Sequence, residues 1–312
     1  MQVDAVRLWP FKDVLPAPLY WAYRAFRTFT AALCFAGFWG GVVLVGWLAV
    51  PLLLLWPGTR TEKLHRVNRA MRGGFKFFHF AMRAMWLYRR TAPVRSLRPG
   101  GSPVVLVANH PTLCDVTSIA SLFPNVVAVV RQGFAANPLL GRLIRLAGFV
   151  PTGPHLIREC EDRLRMGFDV LVFPEGTRSP RGGSLYPFHR GAFELAARAK
   201  VPIVLLKLTC VPPALSKGLP IWKVSDRVAT LTIEPIDVIH PAEAGIESRT
   251  MCREIEQRYR DLFGYPALTV PADDISRADD ISRTGDISRT GDISRAGDVS
   301  RTGEPPPLGD LQ

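Results

Sequence analysis

The sequence predicts an α/β fold: a sheet with helices on its faces, preceded by an N-terminal membrane-embedded helical region and followed by a disordered repeat tail. Three observations carry this. Between Pro103 and about Pro235, short apolar runs alternate with helix-period stretches, the pattern of a sheet flanked by helices. Thr28 to Pro57 holds no charged residue across thirty positions. After Pro271 the chain becomes near copies of one hexad, with Asp280, Asp286, Asp292 and Asp298 each opening a D-[IV]-S-R unit. The expected divisions are 1–90, 91–268 and 269–312.

The uncharged stretch, about 28–57, is longer than the roughly 20 apolar residues that cross a hydrocarbon core. That length argues against a soluble core helix. Twenty-seven residues precede it, which argues against a cleaved signal peptide with an apolar part of about 7–15 residues. Gly40-Gly41 and Pro51 lie inside it. One tilted helix and a broken, re-entrant hairpin therefore both stay open.

The formal charge is +12, and Arg60 to Arg98 holds eleven Lys/Arg against the single acid Glu62. The flank before the apolar stretch has fewer cations: Arg7, Lys12, Arg24 and Arg27. The positive-inside rule then puts the following domain on the cytoplasmic face of a membrane. Within about 62–90, Leu64, Val67, Met71, Phe75, Phe78, Met82 and Met85 recur at helical spacing among basic residues. Beside an apolar segment, such a helix is expected in the interface of an anionic bilayer. A core-packing helix with a solvated face is the alternative. Nucleic acid is not expected as a partner, because no recognition fold or base-stacking motif accompanies the charge.

In the central region Val104–Ala108, Val126–Val130, Val170–Phe173, Ile203–Leu208 and Ala229–Ile233 read as strands. Asn137–Ala147, Leu156–Met166, Gly191–Lys200 and Glu247–Phe263 read as helices. Five scattered cysteines with no CxxC pair indicate reduced thiols in a cytoplasmic compartment, not a disulfide frame or zinc site. In the tail each hexad offers one apolar residue, too little to line a dry β-helix core, so disorder is expected there.

Two strands end in chemically capable clusters. Asn109 to Asp115, NHPTLCD, follows the first strand, and Phe173 to Pro180, FPEGTRSP, closes the third. His110 can serve as a general base, with Asp115 accepting its other imidazole N–H and fixing the tautomer. No G-x-S-x-G elbow is present, which argues against an ordinary serine hydrolase. Arg178 offers a planar fork for a phosphate. Gly176 permits close backbone approach, and the Gly176 and Thr177 amides add anion contacts. Cys114 inside the first motif reads as a small packed residue.

In this order and spacing, NH-x4-D followed by FPEGTR resembles the glycerolipid acyltransferases, in particular the 1-acyl-glycerol-3-phosphate acyltransferases. The likeness covers roughly Arg90 to Pro235. It implies a glycerolipid-acyltransferase-like mixed sheet and a membrane-bound O-acyltransferase. The acyl group would pass from acyl-CoA or acyl-carrier protein to a lysophospholipid hydroxyl, 1-acyl-glycerol-3-phosphate giving phosphatidic acid. It implies no bound cofactor and no metal. It places Glu175 in the acceptor site, orienting Arg178 or the glycerol hydroxyl. Arg131 to Gly153 resembles the family's second block, and Val201-Pro202-Ile203-Val204 its fourth. The second block commonly ends at an arginine for the acceptor phosphate. Here Phe149-Val150-Pro151-Thr152-Gly153 stands there, with Arg158 in the next helix as a substitute. That departure keeps open a specialised amino-acid, glycolipid or polyene lipid as acceptor. A non-catalytic lipid-binding relative is the remaining alternative.

Overall fold

The computed structural model describes residues 10–93, 97–98, 100–180, 184–220, 223–241 and 247–266. The hexad tail lies outside the described residues. The apolar segment is one continuous helix, α1 (Ala17–Leu55), not a broken hairpin. It begins well before Thr28. A π-helical stretch, Leu44–Ala49, lies just before Pro51. The wider turn falls where the proline removes a backbone donor from the ladder. At 1.5 Å per residue α1 is about 58 Å long. By length and composition it can cross a membrane, and only 17% of its most apolar window is buried. A soluble core helix would be mostly buried.

α2 (Arg60–Ala84) runs back along α1. Its start is fixed by a capping box, in which Thr59 accepts from the Glu62 amide and Glu62 accepts from the Thr59 amide. Arg66 donates to the Leu53 and Trp56 carbonyls at 2.8 and 3.0 Å, closing the end of α1. Phe78 packs on Phe38 with ring centroids 4.9 Å apart. Two sequence expectations are corrected here. The stripe Leu64, Val67, Met71, Phe78 and Met82 is buried in the protein core. The large side chains that α2 exposes are Phe77 and Phe80 instead. The helix also stops at Ala84, and Tyr88–Thr91 forms strand β1.

The sheet has seven strands: β1, β2 (Val105–Ala108), β3 (Val126–Val130), β4 (Val150–Pro151), β5 (Asp169–Val172), β6 (Ile203–Val211) and β7 (Ala229–Ile239). Their order is β1-β7-β6-β2-β5-β3-β4. Every neighbouring pair is parallel except β6–β7, so the sheet is mixed. β2 is buried throughout, as a strand covered on both faces must be. β7 runs past the expected end at Ile233. Glu234-Pro235 reads as a break, but Pro235 falls at a register shift opposite Leu205/Leu206. A bulge of this kind tolerates the missing donor.

Helices cover both faces. α3 (Asp115–Leu122) packs on α2. The expected helix Asn137–Ala147 is instead two short ones, α4 (Gln132–Ala136) and α5 (Gly141–Leu146). Asn137 is extended because it precedes Pro138. A Cβ on Gly141 would lie 2.0 Å from the Ala135 carbonyl oxygen, so this close turn requires glycine. α6 (Leu156–Arg165), α7 (Gly191–Ala199) and α8 (Ser248–Phe263) pack in sequence on one another. From α8 the buried Tyr259 hydroxyl reaches the Val107 and Leu206 carbonyls at 3.0 and 2.8 Å. Lys200 and Gly264 end α7 and α8 in the left-handed conformation.

Candidate active site

β2 and β5 are adjacent and parallel, so the loops leaving their carboxyl ends lie side by side. Open α/β sheets bind ligands at that edge. The first loop carries NHPTLCD and the second FPEGTRSP. The order of strands thus joins two motifs that the sequence separates by about sixty residues.

His110 Nδ1 lies 2.7 Å from Asp115 Oδ2. The five-residue step works because Pro111–Cys114 turns, and Asp115 opens α3. Asp115 is fully buried and accepts from the Thr112 amide at 2.8 Å and the Thr112 hydroxyl at 2.5 Å. A carboxylate oxygen held this way can accept the Nδ1 proton, which leaves Nε2 as the nitrogen with a free lone pair. Nε2 makes no hydrogen bond to any described residue, and the side chain keeps 18% exposure. The ring stacks on Phe173, with centroids 4.1 Å apart. Asn109 is tied both ways to Leu208 on β6, fixing the mouth of the loop.

Glu175, expected to orient Arg178 or the glycerol hydroxyl, bonds the backbone of the His110 loop. It is buried, 3% exposed, and makes no ion pair with Arg178 among the described residues. It accepts from the His110 amide at 3.1 Å, the Ser179 hydroxyl at 2.5 Å and the Tyr186 amide at 3.1 Å. The Ser179 amide in turn donates to the His110 carbonyl at 2.8 Å. Glu175 therefore ties one loop to the other. Burial pushes its carboxyl above the ordinary range, against the pull of these three donors.

Gly176 takes φ +62, and a Cβ there would meet the His189 ring at 3.3 Å, so the turn requires glycine. The Thr177 and Arg178 amides donate to no described residue. Arg178 Nη1 donates to the Leu215 carbonyl at 2.9 Å, which also accepts from the Leu113 amide. Arg158 lies exposed in the first turn of α6. Cys114 is buried, and burial first, then the Asp115 charge, pushes its thiol far up. A buried thiol pushed up in this way is suited to packing and poorly suited to attack. Among the described residues no three His, Cys, Asp or Glu side chains gather as metal ligands would.

The sequence reading brought His110 to Asp115, but the Gly176 amide it offered to an anion donates to the Phe173 carbonyl at 3.0 Å instead. It missed Thr112, Phe173 and Ser179. All three stand inside the two motifs, but their partners are set by the sheet and not by spacing.

Comparison with known proteins adds the following. The acyltransferase family matches residues 89–207. A chloroplast 1-acyl-sn-glycerol-3-phosphate acyltransferase of Brassica napus is 30% identical over 43% of this chain and 42% of its own. A 1-acyl-sn-glycerol-3-phosphate acyltransferase of Limnanthes douglasii is 28% identical over 66% of this chain and 71% of its own. The matches to the Brassica and Arabidopsis thaliana chloroplast relatives span less than half of their lengths, 42% and 45%. The crystal structure of the 1-acyl-sn-glycerophosphate acyltransferase of Thermotoga maritima superposes with a TM-score of 0.60 at 18% identity, over 78% of this chain and all of that one. At that identity the likeness shows the fold.

Proposed function

The chain carries an acyltransferase-family domain of the 1-acyl-glycerol-3-phosphate acyltransferase-like kind, and on that premise we propose that it acylates a lysophospholipid at a membrane, most simply 1-acyl-glycerol-3-phosphate to phosphatidic acid. The observation that carries the reading is His110 Nδ1 held 2.7 Å from buried Asp115, with Nε2 left unbonded. The acceptor hydroxyl gives its proton to Nε2 as its oxygen attacks the thioester carbonyl. Asp115 stabilises the imidazolium as it forms. The C–S bond then breaks, and the imidazolium returns the proton to the departing thiolate. No protein nucleophile is needed.

Arg178 and the unbonded Thr177 and Arg178 amides hold the acceptor phosphate, with Gly176 making room. Glu175 holds the two loops in register and does not touch substrate. The donor is an acyl thioester of CoA or acyl-carrier protein. Leu113, exposed beside His110, and the outward apolar face of α1 support a membrane-borne acceptor reaching the site laterally. The positive-inside argument puts this domain on the cytoplasmic face.

The test is purified protein in neutral detergent with labelled acyl thioester and a panel of lysolipids. Lysophosphatidate is expected to be the best acceptor, with His110→Ala lowering transfer by about a hundredfold or more. Full transfer by His110→Ala would end the proposal. A second reading, a specialised lipid acceptor, rests on Phe149–Gly153 carrying no arginine. An unchanged KM for lysophosphatidate in Arg178→Ala would favour it.

A further inference from the structure

A cationic cleft is lined by no residue of the His110 and Glu175 loops. Its volume is about 400 Å³, and its lining includes Arg60, Lys63, Arg145 and Arg163 with Leu54 and Leu146. Among the described residues no carboxylate is in its lining, although Glu62 stands against lining Gly58 and Glu159 and Asp162 act on Arg163. Its position in the fold separates it from the catalytic loops. On the first turns of α2, His65 bonds Asn125 at 3.2 Å and the Met166 carbonyl at 2.7 Å. Those residues directly precede β3 and β5. The cleft thus borders the amino ends of the parallel strands, whereas His110 leaves the carboxyl end of β2.

Two features set this cleft apart from an ordinary basic surface. Arg60 and Lys63 occupy the first turn of α2, where the helix dipole already carries partial positive charge. They oppose local stability and bond no described residue. Arg163 and Arg145 are held rigidly: Arg163 Nε donates to the Gly148 carbonyl at 2.8 Å, and Arg145 Nη1 to the Ala135 carbonyl at 2.7 Å. Each keeps further N–H groups for a ligand. Arg163 is only 8% exposed. Burial, and next the charge of Arg60, lower its affinity for a proton, while Glu159 and Asp162 oppose this. Four like charges are therefore gathered in the lining, and among the described residues the carboxylates near them stand behind it. Beside them α1 ends in exposed Leu52, Leu55 and Trp56.

We propose that this cleft binds the phosphate of an anionic glycerophospholipid, held by Arg60, Lys63, Arg145 and Arg163, with its acyl chains along the exposed end of α1. An apolar wall next to a rigid guanidinium fork fits a phosphodiester that stays attached to hydrocarbon. The site is independent of the acyl-transfer reading and would stand if that reading failed.

The experiment is native mass spectrometry of the full chain in neutral detergent, titrated with phosphatidylglycerol or phosphatidylcholine. Retention of phosphatidylglycerol over phosphatidylcholine is expected. Arg60→Gln with Lys63→Gln should weaken that retention by roughly thirtyfold, the effect of two interfacial cations. Lys76→Gln with Arg83→Gln, which removes two exposed cations elsewhere on α2, should leave it unchanged. Equal losses in the two double variants would mean diffuse attraction and overturn the site, as would no headgroup preference. Inorganic phosphate or glycerol 3-phosphate binding as tightly as the lipid would overturn the lipid as ligand. Unchanged thermal melting of both variants would exclude misfolding as the cause.

Discussion

Asp115 acts on His110 through two contacts of its own, the amide and hydroxyl of Thr112. An amide in place of the carboxylate would present a donor to Nδ1 and favour the wrong tautomer. Asp115→Asn is therefore expected to lower kcat on the order of a thousandfold with little change in KM; steady-state kinetics with a lysolipid acceptor decides this. Cys114→Ala should keep activity within about twofold, since the buried thiol is protonated at working pH. Glu175→Gln has a different signature. Its amide cannot accept from all three donors, so at least one of them loses its bond to this side chain, at a cost of about 1–3 kcal/mol. A lowered melting temperature with a proportionate loss of active fraction is the expected result. At this scale the pairing of His110 with Asp115 was legible, because an imidazole and a nearby carboxylate admit few arrangements, whereas the Leu215 carbonyl that Arg178 bonds was not. The partner of Glu175 was not, because a carboxylate next to an arginine in sequence suggests a local pair, and only the strand order sends it to the His110 amide.

Helix α2 shows how an element can be found and still be misplaced. Its apolar spacing and its Thr59–Glu62 start are plain in the sequence, but a stripe of apolar residues does not say what will cover it. The sheet and α3 cover it here, so the exposed aromatic residues are Phe77 and Phe80. β1 and β4 were illegible for a related reason: Tyr88–Thr91 contains two arginines and Val150–Pro151 has two residues. Neither offers a periodic pattern, and both are strands only because a neighbour pairs with them. Within α2, His79 is buried against Thr117 and Tyr88. Burial and then the Arg90 charge hold its imidazole down at about 3, from 6.5. The unfolded chain takes up a proton below about 6.5 that the folded chain refuses, so stability falls as pH drops through that window. His79→Gln should flatten this dependence; denaturant unfolding at pH 7.5 and 5 measures it.

For the whole molecule, the α1–α2 pair is packed as part of the domain. Arg27 donates to the Ser225 carbonyl at 2.8 Å and to the Trp86 carbonyl, and Tyr23 to the Asp226 carbonyl at 2.6 Å. α1 is thus latched to the segment before β7. A chain starting at Gly58 would uncover Phe78 and leave that segment unpinned. It is expected to aggregate on expression, which size-exclusion chromatography would show, even though the family-matched region would be intact. The apolar length of α1 was legible from composition. Its latch was not, since nothing in Arg27 names a carbonyl about two hundred residues away.

The link between Glu175 and the His110 backbone bears on how such a site can be rebuilt. Neither loop is a cassette. Transplanting NHPTLCD alone onto another parallel sheet would carry the base and its carboxylate but leave the amide of the base without its acceptor. Transplanting FPEGTRSP alone would bury a carboxyl with too few donors. The unit that can be moved is the pair of adjacent strands with both loops, so variation in this chain is expected to arise around that unit and not between its halves.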